Sequence, residues 1–375
     1  MKVLIIGALP ESLVNFRGPL IKAISHSCDV TALASGATAD EVARIKELGA
    51  NYIDYPVHRN GLNPFSDLVT LISLIKIMLI VRPNVILAYT IKPVIWGGVA
   101  SKFLPSVRFY GLITGLGFTF QAGNWKRRVI RSMVIFLYRF SLSGASKVIF
   151  QNRDNLQVFV DNGIISDSKS SLVNGSGVDL SYFESIEPEH EGFVFLTVAR
   201  LLGDKGLREY AAASRIVKKS YPNVVFQLLG PVDPSPDGIS IDEVSQWSEY
   251  VDYLGETSDV KTFLKRCNVF VLASYHEGMP RTVLEAMAIG RPIITTDVAG
   301  CRETVINGKN GFLVEKGSVG QLVAKMTWFI ENQDEIKSMS RKSRELAEEK
   351  FDVNKVNSKL LNILEIVKNK RVLND

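Results

Sequence analysis

The sequence predicts an α/β protein of two domains, each a parallel β-sheet covered by helices on both faces. At 375 residues the chain exceeds one ordinary hydrophobic core, so two domains of comparable size are expected. Apolar segments of strand length alternate with stretches of helical periodicity, and this series occurs twice. Hydrophobic residues form 46% and charged residues 22% of the chain, which is typical of a globular protein and not of a disordered one.

The first series contains five predicted strands. They are KVLIIG, DVTALAS, NVILAYT, VRFYGLIT and SKVIFQN. The apolar run of the first one breaks at Gly7 and Pro10 after about five residues, so we interpret it as a buried strand and not as a signal peptide. The most apolar longer segment, Leu68 to Pro83, contains Lys76 and is too short to span a bilayer, so a core helix is expected there.

The second series contains six predicted strands. They are FVFLTVAR, NVVFQLLG, VDYLG, VFVLAS, PIITTD and GFLV. Between the two series lies the acidic, proline-containing stretch IEPEHEG (Ile186 to Gly192), which has no apolar pattern and is typical of a connection between domains. We therefore predict a first domain over residues 1–188 and a second over residues 189–350. The remaining residues, 351–375, are predicted to be helical.

Charge and cysteine content exclude several classes of protein. A net charge of +5 is mild and favours anionic small ligands or an anionic surface, and without a zinc finger or an aromatic-basic motif no nucleic acid partner is expected. Cys28, Cys267 and Cys301 lie far apart, which favours neither a disulfide framework nor a zinc site and suits a reducing cytoplasm. The segment GALPES lacks the G-x-G-x-x-G spacing of a nicotinamide-binding loop.

Two glutamates flank the start of a predicted helix in HEGMPRTVLEAMAIG. Glu277 follows the strand VFVLAS, Pro280 suits the first helical turn, and Glu285 lies about one turn inside the helix. Free amides at a helix start favour an anion, and carboxylates accept hydrogen bonds from sugar hydroxyls, so the layout suits a nucleotide sugar. Taken alone, the two acids are also explained as a solvated loop residue and a helix-face residue near the dipole.

Two cations follow the first predicted strand of the second domain. Arg200 and Lys205 lie in VARLLGDKGL, at another carboxyl strand end. Cations there would bind a diphosphate and neutralise the negative charge that grows on it as a leaving group.

Several ordered motifs together resemble the retaining glycosyltransferases of family 4, which have the GT-B fold. They are ARLLGDKGL, NGSGVDLSYF, YLGETSDV and EGMPRTVLEAMAIGRPIITTDVAGCRETVINGKNGFLV. The resemblance covers nearly the whole chain. It implies two Rossmann-like, doubly wound parallel-sheet domains facing a cleft, with acceptor bound by the first domain, donor by the second, and residues 351–375 packing back on the first.

The resemblance also implies roles for individual residues. Arg200 and Lys205 would hold the donor diphosphate and, with Glu277, act in catalysis. Glu285 would hold the ribose, while Glu277 and the following Gly278, Met279 and Pro280 would hold the transferred sugar.

The first domain is similar to bacterial enzymes that extend lipid-linked O-antigen, capsule or glycan oligosaccharides. NFRGPLI, HRNGLNPF, YTIKPVIWGG and ITGLGFTF carry this similarity. The candidate acceptor-binding residues in them are Arg17, Arg59, Lys92, Thr114, Gly115 and Gly117. Each cation alone is more often a surface residue. Some family members have a histidine where this chain has Tyr89, so no histidine base is predicted.

The expected activity is retaining transfer of a hexose or N-acetylhexosamine from a UDP-sugar to a polyprenyl-diphosphate-linked saccharide in surface polysaccharide assembly. Since no two aspartates stand two apart, no metal or other cofactor is expected, and Arg200 and Lys205 would replace the cation. The alternatives are a nucleotide-sugar 2-epimerase of the same layout and a non-catalytic sugar-nucleotide binding protein.

A lipid acceptor requires contact with a membrane. The stretch Asn124 to Gly144 begins with Lys126, Arg127, Arg128 and Arg131 and continues as an apolar helix, which suits peripheral attachment to anionic lipid on the cytoplasmic face of the inner membrane. The alternative is a core helix with one solvated basic end.

Overall fold

The structure, a computed structural model, describes residues 1–58, 63–104, 106–116, 120, 125–187 and 192–366, excluding the side chains of Lys126 and Arg127. The chain forms two compact units. The first comprises Met1–Ser176 and the described residues from Val356 onward, and the second comprises Gly177–Lys355.

The first unit is built on a sheet of seven parallel strands in the order β3-β2-β1-β4-β5-β6-β7. The strands are β1 (Lys2–Ile6), β2 (Asp29–Ala34), β3 (Ala50–Asp54), β4 (Val85–Tyr89), β5 (Arg108–Ile113), β6 (Lys147–Phe150) and β7 (Ser170–Leu172). Ile5 pairs with Ala32 on one side and with Leu87 on the other. The strand order reverses between β1 and β4, and open α/β sheets bind ligands beyond the carboxyl ends of strands at such a reversal.

Helices cover both faces of this sheet. One face carries α1 (Pro10–Asn15), α2 (Gly18–Ser25) and α3 (Ala39–Glu47), and the other carries α4 (Pro64–Val81), α5 (Ile91–Ser101), α6 (Trp125–Leu142) and α7 (Arg153–Asp161). Alternate strand residues enter the two cores, as Leu4 and Ile5 do. Since both faces are covered, strands such as KVLII and VILAY are apolar along nearly their whole length.

The second unit contains six parallel strands in the order β10-β9-β8-β11-β12-β13. They are β8 (Val194–Val198), β9 (Val225–Leu229), β10 (Asp252–Tyr253), β11 (Val269–Leu272), β12 (Ile293–Thr296) and β13 (Gly311–Val314). The helices are α8 (Leu207–Ser220), α9 (Ile241–Ser245), α10 (Val260–Arg266), α11 (Arg281–Ile289), α12 (Val319–Glu331) and α13 (Asp334–Leu346). The order reverses between β8 and β11, which places the expected ligand edge beside these two strands.

The division between the units precedes the predicted boundary after residue 188. Gly177 has φ +73°, and a Cβ atom on it would lie 2.6 Å from the Cα atom of Val353. The amide of Val178 donates to the carbonyl of Phe351 at 2.7 Å, and the amide of Val353 donates to the carbonyl of Val178 at 3.0 Å. These bonds tie the chain after Ser176 to the second unit. Residues 188–191 of the predicted connection lie outside the described residues.

The last described helix, α14 (Val353–Ile363), begins at the end of the second unit and continues in the first. Four apolar side chains from its length and its end are buried in the same core as Val3 and Ile5 of β1; they are Val356, Leu360, Leu361 and Leu364. The return of the chain to the first unit is therefore stabilised by burial of apolar surface.

The predicted fold class is confirmed, and all eleven predicted strands are present. The sequence patterns missed β3 and β7, which occupy the two edges of the first sheet. β7 has three half-buried residues, and in β3 only Ala50 is fully buried. These two strands bury little apolar surface, so their hydrophobic signal is weak.

The helix predicted over Leu68 to Pro83 is confirmed as α4, but its expected place inside the core was wrong, because only one of its faces is buried. In α4 the buried residues are Asp67, Thr70, Leu74 and Met78, and the opposite face is exposed. The expectation that this segment is too short to span a bilayer was also wrong: within the described part of the chain, α4 is the helix long and apolar enough to cross a membrane, by length and composition alone. Its apolar residues surround the helix on all sides, so the sequence does not show which face packs.

Candidate active site

The candidate site lies where β8 and β11 end beside each other. β8 is followed by Arg200 and by a 3-10 turn, Gly203–Lys205, that leads into α8. β11 is followed by a loop containing Ser274 and Glu277 that leads into α11. Because the two strands are neighbours in the sheet, both loops emerge at the same edge.

A glycine brings the two loops into contact. Gly206, which starts α8, has φ +66°, and a Cβ atom on it would lie 2.1 Å from the carbonyl oxygen of Ala273. The amide of Tyr275 donates to the carbonyl of Asp204 at 2.7 Å across the same junction. Only glycine fits both the left-handed conformation and the close approach, and the result places Lys205 beside the loop after β11.

Lys205 and Glu277 form the central ion pair of this site. The Lys205 ammonium donates to Glu277 Oε1 at 2.7 Å, and the Ser274 hydroxyl donates to the same oxygen at 2.8 Å. The two charged side chains are 15% and 17% exposed. Burial disfavours the charge of Lys205, but the negative charges of Glu277 and Asp204 more than offset this and raise the pKa of the ammonium. Lys205 is therefore held as a cation.

Asp204 adds a second acid next to this pair. Burial raises the pKa of its carboxyl group, with Glu277 and Asp237 adding to the shift and Lys205 opposing it. Sequence reasoning named neither Asp204 nor Ser274 as a site residue. The available signal was their position, because both lie within three residues of a predicted site residue at a carboxyl strand end.

Arg200 is held by a different carboxylate. Its guanidinium donates a hydrogen bond to Asp233, in the segment after β9, and its side chain remains 44% exposed. Burial of Asp233 opposes ionisation, but hydrogen bonds from Ser235 and Arg200 lower the pKa of its carboxyl group below the usual value. The structure thus supplies a second, accessible cation at the same edge of the sheet.

The loop that carries Glu277 packs against the segment after β12. The amide of Glu277 donates to the carbonyl of Ala299 at 3.2 Å. Gly300 has φ +80°, and a Cβ atom on it would lie 2.6 Å from the Glu277 carbonyl oxygen and 2.7 Å from that of Gly278. Gly278 and Met279, both predicted to bind donor, are half-buried in this loop. The neighbouring segment therefore supports the backbone on either side of Glu277.

Glu285 lies on α11, close to its start. The helix begins at Arg281, so Pro280 is the N-cap residue and not the first helical residue, and no side chain caps the helix. Glu285 is 8% exposed and accepts a hydrogen bond from Arg281 Nε at 2.8 Å. Burial raises the pKa of Glu285, with Arg281 opposing the shift. A nearly buried carboxylate here can accept hydrogen bonds from ligand hydroxyls.

Arg17, predicted to bind acceptor, lies buried at the carboxyl edge of the first sheet. It is 2% exposed, its guanidinium lies 5.1 Å from the centroid of the Tyr89 ring, and Nη1 donates to Ser176 Oγ at 3.2 Å. The Tyr89 hydroxyl and Ser12 Oγ are 2.8 Å apart. Burial raises the pKa of Tyr89 to about 12, although Ser12 and Arg17 oppose the shift. Arg17 is therefore not a simple surface cation.

The other predicted acceptor residues are placed as follows. Lys92 Nζ lies 2.8 Å from Asp67 Oδ1, and both side chains are 12% exposed. Thr114 and Gly115 follow the carboxyl end of β5 and are half-buried. Arg59 and Gly117 lie outside the described residues.

A separate cavity of about 490 Å³ lies in the second unit, at the opposite edge of its sheet. Its lining includes Asn268 and Arg291, which precede β11 and β12, together with residues of α13. None of the lining residues is a predicted site residue. Across the described ranges, no three His, Cys, Asp or Glu side chains are grouped so that they could hold a metal ion.

Both units match known glycosyltransferase families. Residues 2–152 match the family described as Glycosyl transferase 4-like, and residues 180–346 match Glycosyl transferases group 1. Among solved structures, Anabaena HepE in complex with UDP and glucose superimposes with a TM-score of 0.79 at 18% identity, covering 98% of this chain and 100% of that one. At this identity the likeness shows the fold.

Curated relatives match most of the chain. It is 29% identical over 336 residues to the N,N'-diacetylbacillosaminyl-diphospho-undecaprenol alpha-1,3-N-acetylgalactosaminyltransferase of Campylobacter jejuni, covering 86% of this chain and 87% of the relative. It is 26% identical over 306 residues to the capsular polysaccharide biosynthesis glycosyltransferase CapM of Staphylococcus aureus, covering 76% and 78%. A UDP-Gal:alpha-D-GlcNAc-diphosphoundecaprenol alpha-1,3-galactosyltransferase of Escherichia coli is 25% identical over 284 residues, covering 72% of each chain.

The two matched families, the seven- and six-stranded parallel sheets and these relatives agree with one another. The chain belongs to the glycosyltransferases of the GT-B fold, with a family 4-like first unit and a group 1 second unit, and it is an enzyme of that class.

Proposed function

We propose that the chain transfers a hexose or an N-acetylhexosamine from a UDP-sugar to a hydroxyl group of a polyprenyl-diphosphate-linked saccharide, with retention of configuration. The relatives' names support the substrate classes. One transfers N-acetylgalactosamine to a saccharide on undecaprenol diphosphate, and another uses UDP-galactose and a similarly linked acceptor. The corresponding two UDP-sugars are therefore the first donors to test.

The observation that carries the proposal is the Lys205–Glu277 pair at the meeting of β8 and β11. Lys205 is held as a cation, and Arg200 offers a partly exposed guanidinium at the same edge. Together they bind the donor diphosphate. Glu277 accepts hydrogen bonds from the transferred sugar beside Gly278, Met279 and Pro280, and Glu285 accepts them from the ribose.

Transfer needs charge stabilisation and positioning more than a protein base. The bond between the anomeric carbon and the diphosphate oxygen breaks, while the acceptor oxygen forms a bond to the same face of that carbon. The acceptor hydroxyl proton passes to the departing phosphate oxygen. Arg200 and Lys205 stabilise the negative charge of the leaving UDP, which is the role a divalent metal has in other enzymes, so no cofactor is required.

The first unit binds the acceptor in this proposal. Arg17 lies buried at the carboxyl edge of its sheet, where the acceptor diphosphate would lie, and Lys92 would contact the same diphosphate although its ammonium is already paired with Asp67. Thr114 and Gly115 follow β5 at that edge. The proposed location is the cytoplasmic face of the inner membrane, because the acceptors in the relatives' names carry an undecaprenol chain.

The test is UDP release by the purified full chain from a panel of UDP-sugars, with and without a synthetic short-chain polyprenyl-diphosphate saccharide. Release that depends on the acceptor, persists in a chelator and gives a product with the donor's anomeric configuration by NMR is expected. Conversion of the donor without acceptor would contradict the proposal in favour of a 2-epimerase. Donor binding without turnover across acceptors would contradict it in favour of a binding protein.

A further inference from the structure

The outer face of α4 is apolar and exposed. Its buried residues, such as Leu74 and Met78, lie on the opposite side of the helix. The exposed side chains are from 44% to 83% accessible; they are Phe65, Leu68, Val69, Ile72, Leu79 and Ile80. Single exposed apolar residues are normal, but a row of them along one helix face, here interrupted only by Lys76, marks an interaction site.

α6 has the same property. Its exposed apolar side chains recur every three or four residues and therefore share one helix face; they are Trp125, Val129, Met133, Phe136 and Phe140. Val134, Tyr138 and Leu142 face the core on the other side. We call the two exposed faces together the α4–α6 surface.

The two helices belong to one layer. Both contact α5, and all three contribute buried side chains to the same core on one face of the first sheet. Beyond the end of α5, the Lys102 ammonium lies 5.0 Å from the centroid of the Phe140 ring, and Phe103 is 62% exposed. The exposed faces of α4 and α6 therefore lie on the same side of the first unit.

The segment that carries this surface is strongly basic. Between Tyr55 and Asn152 the sequence contains twelve lysines and arginines and a single acid, Asp67, although the whole chain has a net charge of only +5. Asp67 is buried and paired with Lys92. The remainder of the chain is therefore net negative, and the positive charge is concentrated in the part that exposes apolar helices. Lys76 and Arg128 are exposed on α4 and α6 themselves.

We propose that the α4–α6 surface docks on a bilayer that contains anionic phospholipid, with its apolar side chains at the level of the headgroups and its cations against the lipid phosphates. This inference rests on the proposed function in that a lipid-linked acceptor has to be reached at the membrane. The apolar side chains match the acyl boundary of a bilayer, and the cations of this acid-poor segment match its anionic headgroups. A second copy of the chain would bring the same positive charge against itself, which opposes self-association.

The test is co-sedimentation of the full chain with vesicles of equal parts phosphatidylglycerol and phosphatidylethanolamine, compared with vesicles of phosphatidylcholine alone. Ile80→Ser combined with Phe136→Ser should lower binding to anionic vesicles about tenfold, because two exposed anchors are lost. Ile216→Ser combined with Ile241→Ser, on exposed positions of the second unit, is the matched control and should bind normally. Lys76→Gln with Arg128→Gln should weaken binding to anionic vesicles only, by about tenfold.

Transfer assays with two acceptors distinguish failure of this inference from failure of the proposed function. All variants should transfer sugar normally to a water-soluble, short-chain acceptor, and the apolar variant should lose transfer only to a full-length lipid acceptor in vesicles. Equal sedimentation of the wild type and the Ile80/Phe136 variant would overturn the docking surface whatever the activity. A wild-type dimer in lipid-free solution that the same variant converts to a monomer would also overturn it, in favour of an interface between copies.

Discussion

Replacing Lys205 by methionine removes one partner of the Lys205–Glu277 pair and leaves a partly buried carboxylate. Breaking a buried pair costs about 3–5 kcal/mol. Here the side chains keep 15% and 17% exposure, and Ser274 still donates to Glu277, so a loss of about 2–3 kcal/mol is expected. For a unit of this size that lowers the Tm by about 5–10 °C.

The companion variant is Lys205→Met with Glu277→Gln. Since the neutral amide needs no counter-charge, most of the lost stability should return. Donor affinity should not return, because the proposed diphosphate ligand is still missing, and UDP binding should remain about tenfold to a hundredfold weaker. Scanning calorimetry of the full chain measures the change in stability, and hydrogen exchange assigns that change to the second unit. Titration calorimetry with UDP measures the change in donor affinity.

The pH dependence gives a further check on the same pair. The folded-state pKa of Lys205 is raised, so its charge stabilises the fold fully below the ordinary lysine pKa, and this contribution disappears as the pH rises through the raised value. The difference in unfolding free energy between the wild type and Lys205→Met should be constant near neutral pH and should decrease at strongly alkaline pH. If the single and double variants melt at the same temperature, or if the double variant binds UDP normally, the assigned roles are refuted.

Arg200→Ala should lower transfer about 100-fold or more. Because its partner Asp233 is only 8% exposed and would lose its counter-charge, the variant should also lose about 1–3 kcal/mol of stability, which adding Asp233→Asn should largely restore without restoring transfer. Arg208→Ala, which removes an arginine of similar exposure on α8 that is paired with the more exposed Glu243, is the control, and equal UDP release rates for the two would contradict the assignment. Glu285→Gln should raise the Tm at neutral pH, because burial raises the pKa of Glu285 and its ionisation therefore costs stability. The gain in Tm should vanish at acidic pH, where Glu285 is protonated in both the folded and the unfolded state. UDP binding by the variant should be weaker. Lys92→Met should destabilise the first unit by about 2–3 kcal/mol in denaturant titrations, and adding Asp67→Asn should restore most of the lost stability. If Lys92→Met alone is as stable as the wild type, the Lys92–Asp67 pair contributes little to stability.

Much of the fold follows from the sequence because strands of a parallel sheet that is covered on both faces are apolar along their length. The central strands, such as VILAY and VFVL, carry this signal and were all predicted. The same reasoning placed Arg200, Lys205 and Glu277 at carboxyl strand ends, since each follows a recognisable strand. The edge strands β3 and β7 were not predicted because they bury little apolar surface.

What the tertiary structure alone decided is which of these residues meet and which faces remain exposed. Lys205 and Glu277 are far apart in sequence, and their contact with each other and with Ser274 arises because β8 and β11 are neighbours and Gly206 allows a close approach. Arg17 carries no sequence signal for its burial against Tyr89. The exposed face of α4 could not be predicted from the sequence either, because a helix that is apolar on all sides has no periodicity to show which side packs. Local pattern determines the elements, whereas contacts between distant segments depend on how the sheet orders its strands.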